Sequence, residues 1–182
     1  VGDLHAGAPE LRPEARFNRD ITEITKRYNV TTDVLVVIAE ATASGGINPC
    51  RSTYTVEAQD NLHWYLENIP GITKVISLSS VAKRALSGYA EGNLKWTYLP
   101  HDERALAFAT SVVDPTTGLL NEACSILPIY VFTEDHKATT ISTVIDSIEK
   151  YNENFRSSDE TFTFRYMIQR PAEGTSVIPY AF

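Results

Sequence analysis

The sequence has little of what characterises several large classes of protein. Its 16 Lys and Arg are outnumbered by 23 Asp and Glu, so it lacks the basic excess that binding to nucleic-acid phosphates requires. No apolar run approaches the roughly 20 residues that a transmembrane helix needs. The sequence begins at Val1, shows no signal-peptide pattern, and has Met167 as its only methionine. We therefore expect a globular piece of a longer protein that does not bind nucleic acid.

The motifs of common enzymes and metal sites are also missing. The histidines are far apart in the sequence: His5, His63, His101 and His136. No spacing of His or Cys predicts a metal site. Ser87 lacks the glycine pattern of a nucleophile elbow, and no glycine-rich loop ends in Lys-Ser or Lys-Thr. The acids of residues 134–137 are explained by a helix N-terminus, which favours negative charge. We therefore predict no catalytic residues, no metal and no cofactor.

The two cysteines, Cys50 and Cys124, leave the redox state open. An even count permits one disulfide, and both residues lie at the edges of predicted loops, where secreted proteins often place disulfides. Two reduced, buried thiols would be equally ordinary in a cytosolic protein. The residues alone do not decide between these two alternatives.

Two short apolar runs are predicted to be the central strands of a sheet. The first spans residues 34–39 between Asp33 and Glu40, and most of its residues are β-branched. The second spans residues 126–133. Runs of this length and composition are typical of buried strands. Each run is followed by an amphipathic helix pattern and then by a further strand pattern, so we predict two β-α-β halves.

Apolar residues at helical spacing indicate the helix of each half. In the first half they are Ala58, Leu62, Tyr65, Leu66 and Ile69. Pro70 and Gly71 end this helix, and residues 72–79 form the returning strand. In the second half the apolar face comprises Ala138, Ile141, Val144, Ile145, Ile148 and Phe155, with Asp135 as the expected N-cap. The last strand alternates apolar and polar residues, its apolar positions being Phe162, Phe164, Tyr166 and Ile168.

This order predicts an α+β, ferredoxin-like fold, in which an antiparallel four-stranded sheet carries two helices on one face. We expect one domain over residues 1–182. Its first helix is predicted to run from Asn18 to Tyr28, with Asn18 or Asp20 as N-cap. The predicted segments are a lead-in with this short helix (1–30), the first β-α-β unit (31–80), a helical and loop insertion (81–125), the second β-α-β unit (126–168) and a tail to which no structure is assigned (169–182).

The insertion carries three aromatic residues among glycines and polar residues. Tyr89, Trp96 and Tyr98 lie near Gly88 and Gly92. Aromatic side chains in such a loop can form a platform for an apolar or amphipathic ligand. They can equally anchor the insertion onto the sheet. We treat these three residues as candidates for contact with a ligand.

A series of short motifs, met in order along the chain, resembles one group of proteins. These motifs are Gly7-Ala-Pro-Glu-Leu-Arg-Pro13, Arg16-Phe-Asn-Arg-Asp20, Thr32-Asp-Val34, Gly88-Tyr89, Glu91-Gly-Asn93, Lys95-Trp96, Leu119-Leu-Asn121, Cys124-Ser125 and Val131-Phe-Thr-Glu-Asp-His-Lys-Ala138. They resemble the extracytoplasmic porter domain of bacterial predicted exporters of the resistance-nodulation-division (RND) superfamily, similar to its MmpL and hopanoid-transporter branches. The resemblance extends from Val1 to about Ile168 and departs from the expected sequence after that.

The resemblance implies a periplasmic domain of a proton-driven exporter in the bacterial inner membrane, with hydrophobic or lipid-like substrates. We expect the second of the two large loops of such a protein. Its implied partners are the membrane helices, the other porter domain and, in some assemblies, further copies of itself. The resemblance also implies a Cys50–Cys124 disulfide, and it makes Tyr89, Trp96 and Tyr98 candidates for the substrate route. A free-standing periplasmic binding or scaffolding module is the alternative, and a hydrolase comes third.

Overall fold

The computed structural model describes residues 14–28, 33–41, 48–135, 137–154 and 164–169. Within these residues the chain is a mixed α+β structure with an antiparallel sheet, as the sequence predicts. The helices are α1 (Arg16–Tyr28), α2 (Thr53–Glu67), α3 (Leu78–Tyr89), α4 (Glu103–Thr110) and α5 (Ala138–Asn154). The strands are β1 (Val34–Ala41), β2 (Ile72–Ile76), β3 (Ile126–Thr133) and β4 (Phe164–Gln169). Short 3-10 turns occur at Pro49–Arg51, Leu94–Trp96 and Pro115–Thr117.

The strands lie in the order β2-β3-β1-β4, and each neighbouring pair is antiparallel. Val37 of β1 is opposite Ile129 of β3 on one side and Ile168 of β4 on the other. The two strands predicted to be central, β1 and β3, therefore lie at the centre of the sheet. The strands that return after α2 and α5 lie at opposite edges, so each half of the chain contributes one central and one edge strand.

One face of the two central strands forms the main core. Alternate residues of β1 and β3 are buried, because successive side chains of a strand point to opposite faces. They pack together with apolar residues of α2 and α5. The large members of this core are Leu35, Val37, Leu127, Ile129 and Val131 from the strands and Leu62, Leu66, Val144 and Ile148 from the helices. Burial of each such side chain contributes about 1.5–3 kcal/mol, so the sheet and these two helices form one unit.

A second, smaller core lies between α2, α3 and α4. It contains Val56, Ala82, Leu99, Leu106 and Ala109, with the half-buried Leu86 against it. Helix α2 therefore contributes to both cores, since its Leu62 belongs to the first and its Val56 to the second. The predicted insertion is thus a helical layer that packs on α2.

Two element boundaries differ from the predictions, and capping explains one of them. The returning strand ends at Ile76 instead of residue 79, and α3 is longer than the predicted helix at residues 81–86. Ser77 starts α3 because its hydroxyl accepts a hydrogen bond from the Ser80 amide, while the Ser80 hydroxyl accepts one from the Ser77 amide. Helix α1 begins at Arg16, so Asn18 and Asp20 lie inside it and the N-cap prediction is wrong.

Several predictions lie outside the described residues. They concern the lead-in before residue 14, the tail beyond residue 169, the apolar residues Phe155 and Phe162, and two of the histidines, His5 and His136. The helix N-terminus expected at residues 134–137 is described in part. There the Asp135 carboxylate accepts hydrogen bonds from the Lys137 amide at 3.3 Å and from the Thr140 hydroxyl at 2.6 Å. The Lys137 ammonium, the Thr140 hydroxyl and the Lys137 amide lower the pKa of Asp135. Because α5 begins at Ala138, Asp135 lies before the N-cap position and holds the segment that leads into the helix.

Candidate functional site

The insertion presents its three candidate aromatics to solvent. Tyr89 is 59% exposed, Trp96 48% and Tyr98 45%. Tyr89 ends α3, whereas the other two residues lie on and just after the 3-10 turn that Asn93 caps. The insertion is held by the second core, in which none of these aromatics takes part. Their exposure therefore leaves their rings available for contact with a ligand or a partner.

The three candidate aromatics and Phe108 of α4 form two ring pairs. The rings of Trp96 and Tyr98 have their centroids 6.1 Å apart. Tyr89 instead contacts Phe108 of α4, at 4.7 Å between ring centroids. Phe108 is itself 51% exposed and was missed from the sequence, because the helical spacing of α4 singles out only its buried face. The term aromatic surface is used below for these four residues.

A cleft of about 430 Å³ opens beside one end of the aromatic surface. It lies between α2, α3 and the segment that joins the 3-10 turn at Leu94–Trp96 to α4. Most of the residues that line it have polar side chains: Glu57, Asp60, Asn61, Lys83, Thr97, Tyr98, Leu99 and His101. Tyr98 is the one predicted candidate that lines this cleft, so the cleft and the aromatic surface adjoin.

The charged groups of the cleft form two pairs. The Lys83 ammonium lies 2.6 Å from the Asp60 carboxylate, and both side chains are mostly buried. His101 lies 2.7 Å from Glu57, but its side chain is 87% exposed, so this pair adds little stability. The cleft therefore combines paired polar groups with one aromatic wall, a composition that suits the polar part of an amphipathic ligand.

A buried chain of hydrogen bonds joins α2 to the start of α3. Nδ1 of His63 lies 2.9 Å from the Ser77 hydroxyl, which is itself 2.8 Å from the Ser79 hydroxyl. Nε2 of His63 lies 3.1 Å from the carboxylate of Glu67. Because a carboxylate only accepts, Nε2 carries the hydrogen and Nδ1 accepts from Ser77. Sequence spacing predicts no such group, since Ser77 and His63 are brought together only by the packing of α3 on α2.

This Ser-His-Glu arrangement resembles the hydrogen bonding of a catalytic triad, but its serine has another role. Ser77 is fully buried, and its oxygen already accepts the Ser80 amide as the cap of α3. His63 is 7% exposed. A nucleophile must reach its substrate, and a buried capping hydroxyl does not. We interpret these residues as a structural network that fixes the α2–α3 packing.

The buried environment of His63 changes its protonation. Burial lowers the pKa of the imidazole below its ordinary value of 6.5, because the charged form loses hydration. The nearby carboxylates of Glu67 and Asp60 act in the opposite direction, while the Lys83 ammonium also lowers the pKa. The neutral imidazole is thus the form that suits the network.

The two cysteines form a disulfide, as the resemblance implies. Cys50 and Cys124 are bonded, with their Cα atoms 5.5 Å apart and a sequence separation of 74. Cys50 lies in the 3-10 turn before α2, and Cys124 lies two residues before β3. The bond therefore joins the two ends of the long segment that carries α2, β2 and the insertion.

Within the residues that the structure describes, His, Cys, Asp and Glu form no group of three that could hold a metal ion. None of the helices described is both long and apolar enough to cross a membrane. No family model matches the chain, and no curated protein or solved structure matches it either.

Proposed function

We propose that the chain is the periplasmic porter domain of an RND-type exporter in the bacterial inner membrane. In this proposal its sheet and the helices α2 and α5 make a ferredoxin-like unit. The strand order β2-β3-β1-β4 supports this, because it is the order in which two β-α-β units interleave in an antiparallel sheet. The Cys50–Cys124 disulfide supports an extracytoplasmic location, since disulfides persist in oxidising compartments.

The observation that carries the functional part of the proposal is the aromatic surface. Exposed aromatic residues cost solubility unless they contact something, and grouped exposed apolar residues indicate interaction sites. Here Tyr89, Trp96, Tyr98 and Phe108 are all about half exposed, although the insertion has its own core. In the proposed exporter this surface contacts a hydrophobic or lipid-like substrate, or the neighbouring porter domain.

The proposed mechanism is a rigid-body movement. The two cores share α2, and the disulfide joins both ends of the segment that contains the insertion. The domain would therefore move as one unit against the membrane helices and the other porter domain, and would open and close the substrate route. The proton-relay acids belong to the membrane helices in this proposal, so no residue of this chain carries protons.

Replacement of Trp96 by Ala in the full-length exporter tests this role. We expect slower export with unchanged expression, because Trp96 supplies apolar contact without supporting either core. Trp64→Ala is the matched control, since Trp64 is 67% exposed on α2 and lies outside the aromatic surface. Export of an amphiphilic fluorescent probe is measured for both variants, with thermal melting of the isolated domains. Equal export rates for the two variants, or an unfolded Trp96→Ala domain, would contradict the proposed role.

A free-standing periplasmic binding or scaffolding module is the second candidate, and the polar cleft favours it. A cleft of about 430 Å³ next to exposed aromatics falls within the usual range for small-molecule sites. Such a module needs no membrane helices. The reading frame that encodes the chain distinguishes the two: membrane spans on both sides support the exporter, and an isolated secreted frame supports the module.

A further inference from the structure

Helix α1 exposes two large apolar side chains, Phe17 and Ile24, to solvent. The sequence spaces Phe17, Ile21, Ile24 and Tyr28 by four, three and four residues, which places them along one side of a helix. Phe17 is 60% exposed and Ile24 50%. Of the α1 side chains that the structure describes, none belongs to either core. A helix that contributed this side to the folded domain would bury Phe17 and Ile24.

The remaining surface of α1 is polar and basic. Four of the 16 Lys and Arg of the chain lie in these 13 residues, against two acids. Arg16 pairs with Asp20 at 3.5 Å and Arg27 with Glu23 at 3.1 Å. The helix is therefore positive overall, although the net charge of the whole chain is −7. An apolar stripe opposite a basic face is typical of helices that lie in a membrane interface.

We infer that α1 binds the surface of an anionic lipid bilayer. In this arrangement Phe17 and Ile24 enter the boundary between headgroups and acyl chains. Arg16 and Arg27 lie on one flank of the stripe together with Asp20 and Glu23, with which they pair. These pairs are exposed and weak, so the long arginine side chains can exchange a carboxylate for a lipid phosphate while their stems stay against the apolar layer. A helix with so few apolar residues binds weakly on its own, so its affinity depends on negative lipid charge.

Other occupants fit α1 less well. A second copy of the chain would need a stable interface of about 800 Å² on each partner, and one 13-residue helix with a stripe one side chain wide offers much less. A protein groove would have to be apolar at its base and acidic at its rim. A lipid surface meets both requirements without a matching shape. This inference does not depend on the exporter proposal, because it concerns the isolated chain.

Vesicle sedimentation with the 182-residue chain tests the inference. We expect the chain to sediment with vesicles that contain phosphatidylglycerol, to bind much less to pure phosphatidylcholine, and to be released by salt. Phe17→Gln and Ile24→Gln should each weaken binding severalfold, and Gln is a good helix former. Leu94→Gln is the matched control, since Leu94 is 83% exposed elsewhere, and it should bind as the unmodified chain does.

A charge variant separates the electrostatic contribution. Arg16→Gln combined with Arg27→Gln should lower partitioning onto the anionic vesicles about 25-fold, because each basic residue near the surface contributes roughly fivefold. Equal binding to neutral and anionic vesicles would overturn the inference, as would loss of binding with Leu94→Gln alone or absence of binding. A dimer that Phe17→Gln dissociates would also overturn it, since the occupant would then be a second copy.

Discussion

At the scale of single residues, the most consequential group is one that sequence reasoning missed. His63 lies in the middle of α2 and Ser77 at the start of α3, and neither has a neighbour in sequence that indicates a site. Their hydrogen bond forms because the second core packs α3 on α2. By contrast, the resemblance implied that the disulfide forms. Its partners needed no further argument, because two cysteines allow one pairing only.

The lowered pKa of His63 predicts how stability depends on pH. In the unfolded chain the imidazole titrates near its ordinary value of 6.5, whereas burial keeps it neutral to lower pH in the folded protein. The unfolded state then binds more protons, so the free energy of unfolding falls as pH drops from about 6.5 toward the lowered pKa. The slope is at most about 1.4 kcal/mol per pH unit. Above about pH 6.5 the imidazole is neutral in both the folded and the unfolded state, and His63 causes no loss of stability.

Urea unfolding between pH 7 and 5 measures this dependence. In the His63→Gln variant, the free energy of unfolding should change less between pH 7 and 5 than in the unmodified chain. His101→Gln is the control for the loss of an imidazole, because the His101 side chain is 87% exposed. Parallel curves for the unmodified chain and His63→Gln would contradict the account. The lowered pKa of Asp135 acts only below about pH 4 and does not affect this interval.

At the scale of elements, the sequence predicts what local composition and periodicity determine. The apolar runs of β1 and β3 and the apolar faces of α2 and α5 are visible because each has a regular repeat. The boundary between β2 and α3 was misplaced because serines occur in strands, loops and caps alike. The contact of Tyr89 with Phe108 could not be predicted, since it depends on the packing angle of α3 and α4.

The disulfide is expected to hold the insertion and the sheet together. In the chain-entropy estimate, a loop with a sequence separation of 74 gives about 4 kcal/mol of stabilisation. The variant Cys50→Ser with Cys124→Ser should lose about this free energy of unfolding, measured with urea. Reduction of the unmodified chain should have the same effect and should leave the double variant unchanged. An unchanged unfolding midpoint after reduction would show that the bond contributes nothing.

At the scale of the whole molecule, the account rests on a two-core domain whose insertion carries two pairs of exposed aromatic residues. The sheet with α2 and α5 supplies rigidity, and the helical layer on α2 supplies the exposed surface and the polar cleft. Sequence patterns indicated the two β-α-β halves, the insertion and its three candidate aromatics, but not that these aromatics are exposed. They did not indicate the cleft, whose lining comes from three segments separated by many residues.

The central claim is that this domain lies outside the cytoplasm as part of a membrane protein. It is tested most directly by thiol labelling of intact cells that produce the complete reading frame. A membrane-impermeant maleimide is applied before and after reduction with an impermeant phosphine, and the membranes are then isolated. We predict labelling of Cys50 and Cys124 only after reduction, on a full-length protein that remains in carbonate-washed membranes. Labelling only after cell lysis, or a labelled chain in the periplasmic extract, would contradict the account.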